Sequence, residues 1–594
     1  MNVLGLFGFG INPGACLLRD GELVAFCEEE RLNRYKTSPE VFPGRAVAFV
    51  LGHAGFQLAD IDRIAFAWDA SRYPYGMLKT LAGQFFRYRR RAARVSSGGK
   101  RSNVTAGLAN ALKYTPSRLR EEIGLGLRAS GLKGPLPPIE FVPHHLSHSY
   151  SAYFCSPFDE AIVLTLDGSG EDTCTQVAVA RGEELTVVDS IPVPHSLGWF
   201  YGAFTAYFGF VPYRHEGKLM ALAGLGFERG PDNPWTERLE QVVSLDGGRY
   251  EVNPIYTRFG KHSYSDRFTD GLVDFVTRLE PGLCPITANG KGDAPYLQPS
   301  YVDLAFGVQD RLEKVVQSLA RNVAKEHGIR NLCIAGGVGL NCKMNGALRG
   351  DSSFDAVFVQ PASYDAGSAV GAAMAVAQAG GDSVRNTTQN AYLGPGYTVD
   401  EMRQVLEDCG LSYEECGDVA VRVAEELAAG KTVGWFQGRM EAGPRALGAR
   451  SILANPALPG VSEYLNRRVK SREVWRPFCP SILEECKDEY LESADGAPFM
   501  TTSFQVQESA RASMAAVAHV DGSTRPQTVS AAASPLFHRL ISEFRRITGV
   551  PFVINTSFNV DGEPIVCSPR DAVRCFYSSG LDVLALGPFV LSKT

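Results

Sequence analysis

The 594-residue sequence has no long uninterrupted apolar run. Its apolar segments, such as 161–166 and 332–335, have the length of strands, whereas a membrane-spanning helix needs about 20 apolar residues. The amino-terminal segment is apolar but has neither a positively charged leader nor a small-residue cleavage site. We therefore expect a protein that is not inserted in a membrane.

The sequence also lacks paired cysteines and an excess of basic charge. The thirteen cysteines include no Cys-x-x-Cys pair, and an odd number cannot all pair within one chain, so reduced thiols in a cytoplasm are expected. The formal net charge of −6 argues against a general nucleic-acid binder, which normally carries a basic surface. The basic run at 87–94 is a local exception. We interpret it as a solvated helix before a mobile loop, or as a lid or partner-binding element, but not as a nucleic-acid site.

Two common catalytic motifs are absent. No G-x-x-x-x-G-K-[ST] loop occurs, so any ATP site must be built in another way. No G-x-S-x-G turn occurs either, and a covalent serine or cysteine intermediate is not indicated.

Two segments repeat one pattern of a strand, a glycine-bearing loop and a hairpin. The first covers residues 3–32 and turns at Asp20-Gly21, and the second covers 161–190 and turns at Arg181-Gly182. Such repetition predicts the duplicated α/β fold shared by actin, sugar kinases and ATP-dependent heat-shock chaperones, which binds ligands between its halves. The length, too great for one hydrophobic core, fits about three or four core-sized units.

A polar, Gly- and Pro-rich stretch at 386–400 indicates a linker. We therefore predict two domains, 1–390 and 391–594, the second with its own strands near 432–436, 552–555 and 583–587. The segment 73–136 fits neither pattern.

One group of residues has the composition of a metal site. His144 and His148 are spaced to project from one face of a helix, Asp167 ends the apolar strand 161–166, and Asp365 lies in a glycine-rich loop. Two imidazoles with carboxylates suit a non-haem iron, manganese or zinc ion. The alternative is that the histidine pair is structural.

A second group is cationic and lies in the C-terminal part, among turns rich in glycine and proline. Guanidinium groups bind phosphate oxygens in pairs, so the pattern indicates a phosphate site, whereas the alternative is a set of surface salt bridges with Glu441 and Glu473. The group comprises Arg439, Arg445, Arg450, Arg467, Arg468, Lys470, Arg472, Arg476, His519, Arg525, Asn555, Ser557 and Asn559.

The motifs GPRALGARSILANP, NRRVKSREVWRPFCPSIL, HVDGSTRPQTV and NTSFNVDGEPIV closely resemble the C-terminal signature of the NodU/CmcH-type O-carbamoyltransferases. HHLSHSYSAYF, EGKLMALAGLG, AGGVGLNC and FVQPASYDAGSAVGAA resemble the N-terminal part of the same family. The likeness runs in order along nearly the whole chain and is least familiar at 73–136. Members of the family carbamoylate antibiotics, nodulation factors and alkaloid toxins.

The resemblance implies an N-terminal domain like the tRNA threonylcarbamoyl-transferases and a YrdC-like α/β C-terminal domain. The C-terminal domain would make carbamoyl adenylate from carbamoyl phosphate and ATP, with magnesium as a candidate counter-ion. The N-terminal domain, with iron or another divalent first-row metal, would pass the carbamoyl group to a hydroxyl of a small natural product. The acceptor, the metal in use and the oligomeric state stay open.

The resemblance also assigns roles to residues. His144, His148, Asp167 and Asp365 would be metal ligands, and Asp365, Lys470 and Arg476 would be catalytic. The contacts to ATP, carbamoyl phosphate and the adenylate would be Arg445, Lys470, Arg476, Arg525, Asn555, Ser557, Gly337 and Asn341.

The chain departs from the family at one place. A His-Asp pair usually follows the first strand near the acceptor, but here the residues are Ile11-Asn12, which provide no proton acceptor. His195, His215 and Glu216 are the available substitutes. Two other functions stay open, a sugar-kinase-like phosphotransferase and a non-catalytic nucleotide-binding scaffold, although neither accounts for both groups of residues.

Overall fold

The computed structural model describes residues 1–72, 115–258, 267–287, 295–493 and 495–593. The basic run 87–94 lies outside the described residues, as does most of the unfamiliar segment 73–136. Among the described residues, every helix is too short or too polar to cross a bilayer. All thirteen cysteines are described, and none forms a disulfide.

The described strands are β1 (Asn2–Phe7), β2 (Gly14–Arg19), β3 (Glu22–Glu28), β4 (Arg63–Phe66), β5 (Ile139–Phe141), β6 (Glu160–Leu166), β7 (Thr173–Arg181), β8 (Glu184–Pro192), β9 (Val243–Asp246), β10 (Arg249–Val252), β11 (Asn331–Ala335), β12 (Ala356–Val359), β13 (Glu414–Glu415), β14 (Val433–Phe436), β15 (Arg450–Ala454), β16 (Cys479–Leu483), β17 (Phe504–Gln505), β18 (Ser523–Thr524), β19 (Gln527–Val529), β20 (Phe552–Ser557), β21 (Val583–Leu586) and β22 (Phe589–Ser592).

The described helices are α1 (Glu29–Asn33), α2 (Gly44–Ala54), α3 (Pro116–Ala129), α4 (His144–Tyr153), α5 (Leu197–Tyr207), α6 (Glu216–Gly224), α7 (Trp235–Arg238), α8 (Asp270–Leu279), α9 (Pro299–His327), α10 (Cys342–Arg349), α11 (Asp365–Ala379), α12 (Val399–Asp408), α13 (Val419–Ala428), α14 (Val461–Tyr464), α15 (Lys487–Tyr490), α16 (Pro535–Thr548) and α17 (Pro569–Tyr577).

Two five-stranded sheets in the N-terminal part have the same topology. Their strand orders are β3-β2-β1-β4-β5 and β8-β7-β6-β11-β12. In each sheet the first strand of the unit pairs antiparallel with a hairpin on one side and parallel with a later strand on the other. The predicted duplication is therefore confirmed by the strand order, and the fold is mixed α/β.

Helices α4 and α11 bring the two sheets together. Helix α11 packs on β1 and β2, α4 packs on β6, β7 and β11, and the two helices pack on each other. Small residues allow this close approach, because a Cβ at Gly371 would lie 1.7 Å from the carbonyl oxygen of Ser147. The start of α11 is thereby held beside the start of α4.

The C-terminal part forms one eight-stranded mixed sheet, β13-β22-β21-β14-β15-β20-β16-β19. Helices α13 and α16 pack against each other, and α13 contacts β14 and β21 whereas α16 contacts β16 and β20. The YrdC-like fold of this part and the domain boundary near residue 390 stay predictions.

Helix α1 and the residues after it connect the N-terminal sheets to the C-terminal sheet. Arg31 Nη2 donates to the carbonyl of Gly443 at 2.9 Å, and Arg34 Nη1 donates to the carbonyl of Ile565 at 2.6 Å. Lys36 Nζ donates to the carbonyl of Glu563 at 3.1 Å. Three basic side chains within six residues therefore hold the two parts together through main-chain oxygens.

Candidate functional site

A cavity of about 650 Å³ lies between the N-terminal sheets and the C-terminal sheet. Its lining includes Asp167 and Asp365 from the predicted metal group and Arg445, Arg476 and Arg525 from the predicted phosphate group. Residues of two groups that are far apart in sequence therefore face one cavity.

The four predicted metal ligands come together. His144 and His148 lie one turn apart on α4, Asp167 follows β6, and Asp365 is the first residue of α11. One ligand atom from each residue lies within 4.8 Å of the others. Nε2 of His144 is 3.2 Å from Nε2 of His148 and 3.1 Å from Oδ2 of Asp167.

The hydrogen bonds around His144 orient its ring for ligation. Its Nδ1 lies 3.1 Å from the carbonyl oxygen of Ala67, which can only accept, so Nδ1 carries a proton and Nε2 faces the other ligands. Burial lowers the pKa of His144, but the hydrogen bond with Asp167 and the charge of Asp365 outweigh it and raise the pKa to about 9. The group attracts positive charge at its centre, where a divalent cation can replace the proton.

The pKa values of the two carboxyl groups in this set are shifted in opposite directions. Burial and the charge of Asp167 raise the pKa of Asp365 to about 8. Burial also acts to raise the pKa of Asp167, but hydrogen bonds with His144 and His148 outweigh it and lower that pKa well below its ordinary value. Two buried imidazoles and two unequal carboxylates are a donor set that fits a first-row transition metal.

A glycine pair joins this group to the loop after β11. The N–H of Gly337 donates to Oδ1 of Asp167 at 3.1 Å. Gly336 has a φ of +89°, and a Cβ there would lie 2.2 Å from the carbonyl oxygen of Leu166. Only glycine fits this position, and the turn places the backbone against the Asp167 carboxylate.

The predicted phosphate group is a set of buried cations on the cavity wall. Burial and the charge of Arg525 lower the pKa of Arg445 to about 10. Within the described residues, Nε of Arg445 is buried without a hydrogen-bond partner. Arg476 and Arg472 also line the cavity. Guanidinium groups crowded in this way need an anionic partner, which supports the phosphate site over surface salt bridges.

Of the two acidic residues in the salt-bridge alternative, Glu441 binds backbone N–H groups and Glu473 forms ion pairs. Glu441 is buried and its Oε1 accepts from the backbone N–H groups of Leu447, Ala449 and Arg450. Glu473 accepts from Lys218 at 2.7 Å and lies 3.7 Å from Arg476. Only Arg476 of the predicted anion contacts therefore has a carboxylate neighbour among the described ion pairs.

Lys470 lies behind the cavity wall. Its Nζ donates to the carbonyl of Ser557 at 2.7 Å and to Oδ1 of Asn559 at 2.6 Å, and it does not belong to the cavity lining. Burial and the charge of Arg472 lower its pKa well below the ordinary value. In this structure Lys470 holds the loop of Ser557 and Asn559, which do line the cavity.

Asn555 and Asn341 line the cavity but are also bound to the protein. Nδ2 of Asn555 donates to Oγ of Ser481 at 2.9 Å, whereas its Oδ1 is buried without a partner among the described residues. Oδ1 of Asn341 accepts from the N–H of Met344 at 3.0 Å and so caps α10. Asn555 also donates to the carbonyl of Ala446 at 3.1 Å, so it holds the loop that carries Arg445, whereas Asn341 fixes the start of α10.

Sequence reasoning missed Glu171, which supports the metal group. Its Oε1 accepts from the N–H of Asp69 at 2.6 Å and from the N–H of His144 at 3.0 Å. Its place shortly after Asp167, in the glycine-rich stretch Asp-Gly-Ser-Gly-Glu, was the available signal. The sequence analysis also missed a part of the cavity wall formed by Trp199, Tyr213 and Arg267. Arg267 lies over the rings of the other two, which are more than 50 residues away in sequence.

Of the three substitutes for the missing His-Asp pair, Glu216 lines the cavity, and so do Ile11 and Asn12. His195 and His215 do not belong to the lining.

The fold and the site define a mixed α/β protein with a candidate metal centre and a candidate anion site that share one cavity. Sequence profiles described as Carbamoyltransferase N-terminus and Carbamoyltransferase C-terminus match residues 2–374 and 424–593. The chain therefore belongs to the carbamoyltransferase family.

Two relatives illustrate the match. Nodulation protein NolNO of Sinorhizobium fredii is 37% identical over 98% of this chain and 78% of its own length. Nodulation protein NolO of Bradyrhizobium diazoefficiens is 36% identical over 76% of this chain and 78% of its own length. Among solved structures, component A of the Acidaminococcus fermentans (R)-2-hydroxyglutaryl-CoA dehydratase aligns with a TM-score of 0.31 at 14% identity, over 64% of this chain and 98% of that one. A TM-score this low supports no conclusion, and the fold rests on the strand order.

Proposed function

We propose that this carbamoyltransferase makes carbamoyl adenylate from carbamoyl phosphate and ATP and transfers the carbamoyl group to a hydroxyl of a small natural product. The observation that carries the proposal is the cavity of about 650 Å³ that members of both groups line, Asp167 and Asp365 from one and Arg445, Arg476 and Arg525 from the other. An activated intermediate formed at one group can reach the other without entering bulk water.

Adenylation is assigned to the cationic group. Carbamoyl phosphate and water give carbamate and phosphate, and a carbamate oxygen then attacks the α-phosphorus of ATP and expels pyrophosphate. Arg445, Arg476 and Arg525 offset the phosphate charge that accumulates in this step. Lys470 is assigned to position Ser557 and Asn559, which matches its contacts better than a direct role.

Transfer is assigned to the other group. His144, His148, Asp167 and Asp365 would hold iron or another divalent first-row metal, which when bound would neutralise negative charge on the departing phosphate. Gly337 and Asn341 are assigned to the wall around the adenylate. The fit of the donor set supports a metal, whereas the choice of iron rests on the family resemblance alone.

The reaction products test the proposal. Protein incubated with ATP and carbamoyl phosphate should release pyrophosphate and AMP, and release should depend on carbamoyl phosphate. A sugar-kinase-like phosphotransferase would instead make ADP with sugars, and a scaffold would turn over no nucleotide. Mass spectrometry of candidate acceptors should show the gain of one carbamoyl group.

The thirteen unpaired cysteines support a reducing compartment, and we propose that the enzyme works in the cytoplasm.

A further inference from the structure

We propose that Glu216 is the group that takes the proton from the acceptor hydroxyl during carbamoyl transfer. The assignment rests on the proposed function and replaces the missing His-Asp pair with a residue from a different loop.

Glu216 is held at the cavity wall by its own loop. It is the first residue of α6, and its Oε1 accepts a hydrogen bond from the N–H of Tyr213 at 2.5 Å. The ring of Tyr213 packs near Gly168, since a Cβ on that glycine would lie 3.9 Å from Cε1 of the tyrosine. Gly168 directly follows Asp167, so the loop of Glu216 packs against the segment that carries a predicted metal ligand.

The surroundings of Glu216 favour a base that works near neutral pH. Burial raises the pKa of Glu216 to about 7, against the opposing effects of the Tyr213 and Glu216 N–H groups and of the Arg267 charge. Among the described residues, the charge of Glu216 also acts on the phenols of Tyr201 and Tyr213. A general base is most effective when its pKa lies near the working pH.

The two histidine candidates fit less well. His195 and His215 are not part of the cavity lining. Nδ1 of His215 accepts from the N–H of Val211 at 3.1 Å, and burial lowers the pKa of this histidine to about 4.

Two other glutamates of the lining each bind two groups of the protein, whereas Oε1 of Glu216 accepts the single hydrogen bond from Tyr213 described above. Glu30 pairs with Arg31 at 3.1 Å and accepts from the N–H of Thr37. Glu171 accepts from the N–H groups of Asp69 and His144. Glu40 also lines the cavity and therefore serves as the competing candidate in the test.

In the transfer step, the acceptor hydroxyl displaces AMP from carbamoyl adenylate. The acceptor oxygen attacks the carbamoyl carbon, and a new C–O bond forms. The bond between that carbon and the phosphate oxygen breaks, and AMP leaves with the electron pair. The hydroxyl proton passes to the Glu216 carboxylate. Transfer should therefore become faster as pH rises through about 7, where this carboxylate ionises.

The test compares nucleophiles that do and do not need a base. The probes are water, methyl glucoside and hydroxylamine, whose neutral amine attacks without prior loss of a proton. Pyrophosphate release reports adenylation, AMP release after the pyrophosphate burst reports attack by water, and hydroxyurea reports attack by hydroxylamine. Carbamoylated glucoside is measured where the wild type forms it. The variants are Glu216→Gln, Glu40→Gln and the exposed control Glu228→Gln.

We expect Glu216→Gln to keep pyrophosphate and hydroxyurea formation within about twofold and to slow attack by hydroxyl nucleophiles about 10²- to 10⁴-fold. The rise of that rate through pH 7 should disappear. The assignment is overturned if Glu40→Gln has this effect instead, if Glu216→Gln leaves AMP release unchanged, or if it slows hydroxyurea formation equally. Failure of the proposed function would look different, because the wild type itself would then release no pyrophosphate with carbamoyl phosphate.

Discussion

The phenol of Tyr364 donates a hydrogen bond of 2.6 Å to Oε1 of the buried Glu28. The same carboxylate oxygen accepts from the N–H of Gly443 at 2.8 Å. Tyr364 directly precedes Asp365, and Gly443 lies two residues before Arg445. One glutamate therefore ties the start of α11, with its predicted metal ligand, to the loop that carries a predicted phosphate contact.

Tyr364→Phe should remove this link without changing the shape of the side chain. Because a buried hydrogen bond to a charged group is lost, the free energy of unfolding should fall by about 1.5–3 kcal/mol. Denaturant unfolding measures the change. Tyr35→Phe, at a tyrosine that is 56% exposed, should stay within about 0.5 kcal/mol of the wild type. Equal stabilities for the two variants would contradict the role given to Glu28.

The purified protein should carry close to one equivalent of a first-row transition metal, and His148→Ala should lose it. Removal of one buried ligand leaves an incomplete donor set and lowers metal affinity. Elemental analysis gives the content, with His53→Ala, on the exposed side of α2, as the control. Active wild-type protein without metal would make the histidine pair structural.

Arg525→Ala should slow carbamoyl-phosphate-dependent pyrophosphate release about 10²- to 10³-fold, because a group that stabilises phosphate charge is removed. The exposed Arg511→Ala is the matched control and should keep the wild-type rate. Circular dichroism checks the fold of both. A wild-type rate in folded Arg525→Ala would remove this arginine from the anion site.

Single substitutions should impair adenylation and carbamoyl transfer separately. Asp365→Ala should still release pyrophosphate but yield at least about 10²-fold less carbamoylated product, since the stranded intermediate hydrolyses. Arg476→Ala should fail at adenylation, and supplied carbamoyl adenylate should restore its product. Pyrophosphate and product are measured in parallel. Equal loss of both activities in folded Asp365→Ala would refute the division of labour.

Glu29 should make stability depend on pH. Its Oε2 accepts from the N–H of Ala46 at 2.9 Å at the start of α2, and burial raises its pKa to about 7 despite the hydrogen bonds and charge of Ala46 and Arg45. The folded state therefore binds this proton more tightly than the unfolded state. The contribution to stability is full below pH 4.5 and is lost as pH rises to about 7.

Glu29→Gln keeps an acceptor but cannot ionise, so its stability should fall less than that of the wild type between pH 5 and 7.5, by about 1–3 kcal/mol. Urea unfolding at several pH values measures the difference, with the exposed Glu22→Gln as control. Parallel curves for the wild type and Glu29→Gln would show that Glu29 ionises normally.

The residues that the structure gathers as candidate metal ligands were recognisable from local rules. His144 and His148 follow the spacing of one helix face, and Asp167 is an acidic residue that ends a buried strand, so each position stands out without knowledge of its neighbours. The strand–loop–hairpin repeat is also a local pattern, and it predicted the two sheets of matching topology.

The placement of Lys470 could not be read from local spacing. It follows a π-helical turn at Leu465–Val469, where the ordinary helix periodicity does not hold. Its ammonium donates to Ser557 and Asn559, which lie at and just after the end of β20, far away in sequence. Asn341 was selected only through the family resemblance, since its capping of α10 is what asparagine does at many helix starts. The wall of Trp199, Tyr213 and Arg267 depends on tertiary packing that the sequence does not display.

The contacts of Arg31, Arg34 and Lys36 with main-chain oxygens of the C-terminal part set a rule for protein engineering. Chimaeras that exchange the C-terminal part between relatives at a single crossover near residue 390 would combine this basic segment with loops from another protein. Its hydrogen bonds to the carbonyls of Gly443, Glu563 and Ile565 would then depend on the donor's loops. Donors that carry a matching α1 segment, or double-crossover designs that move it together with the C-terminal half, should give the folded hybrids.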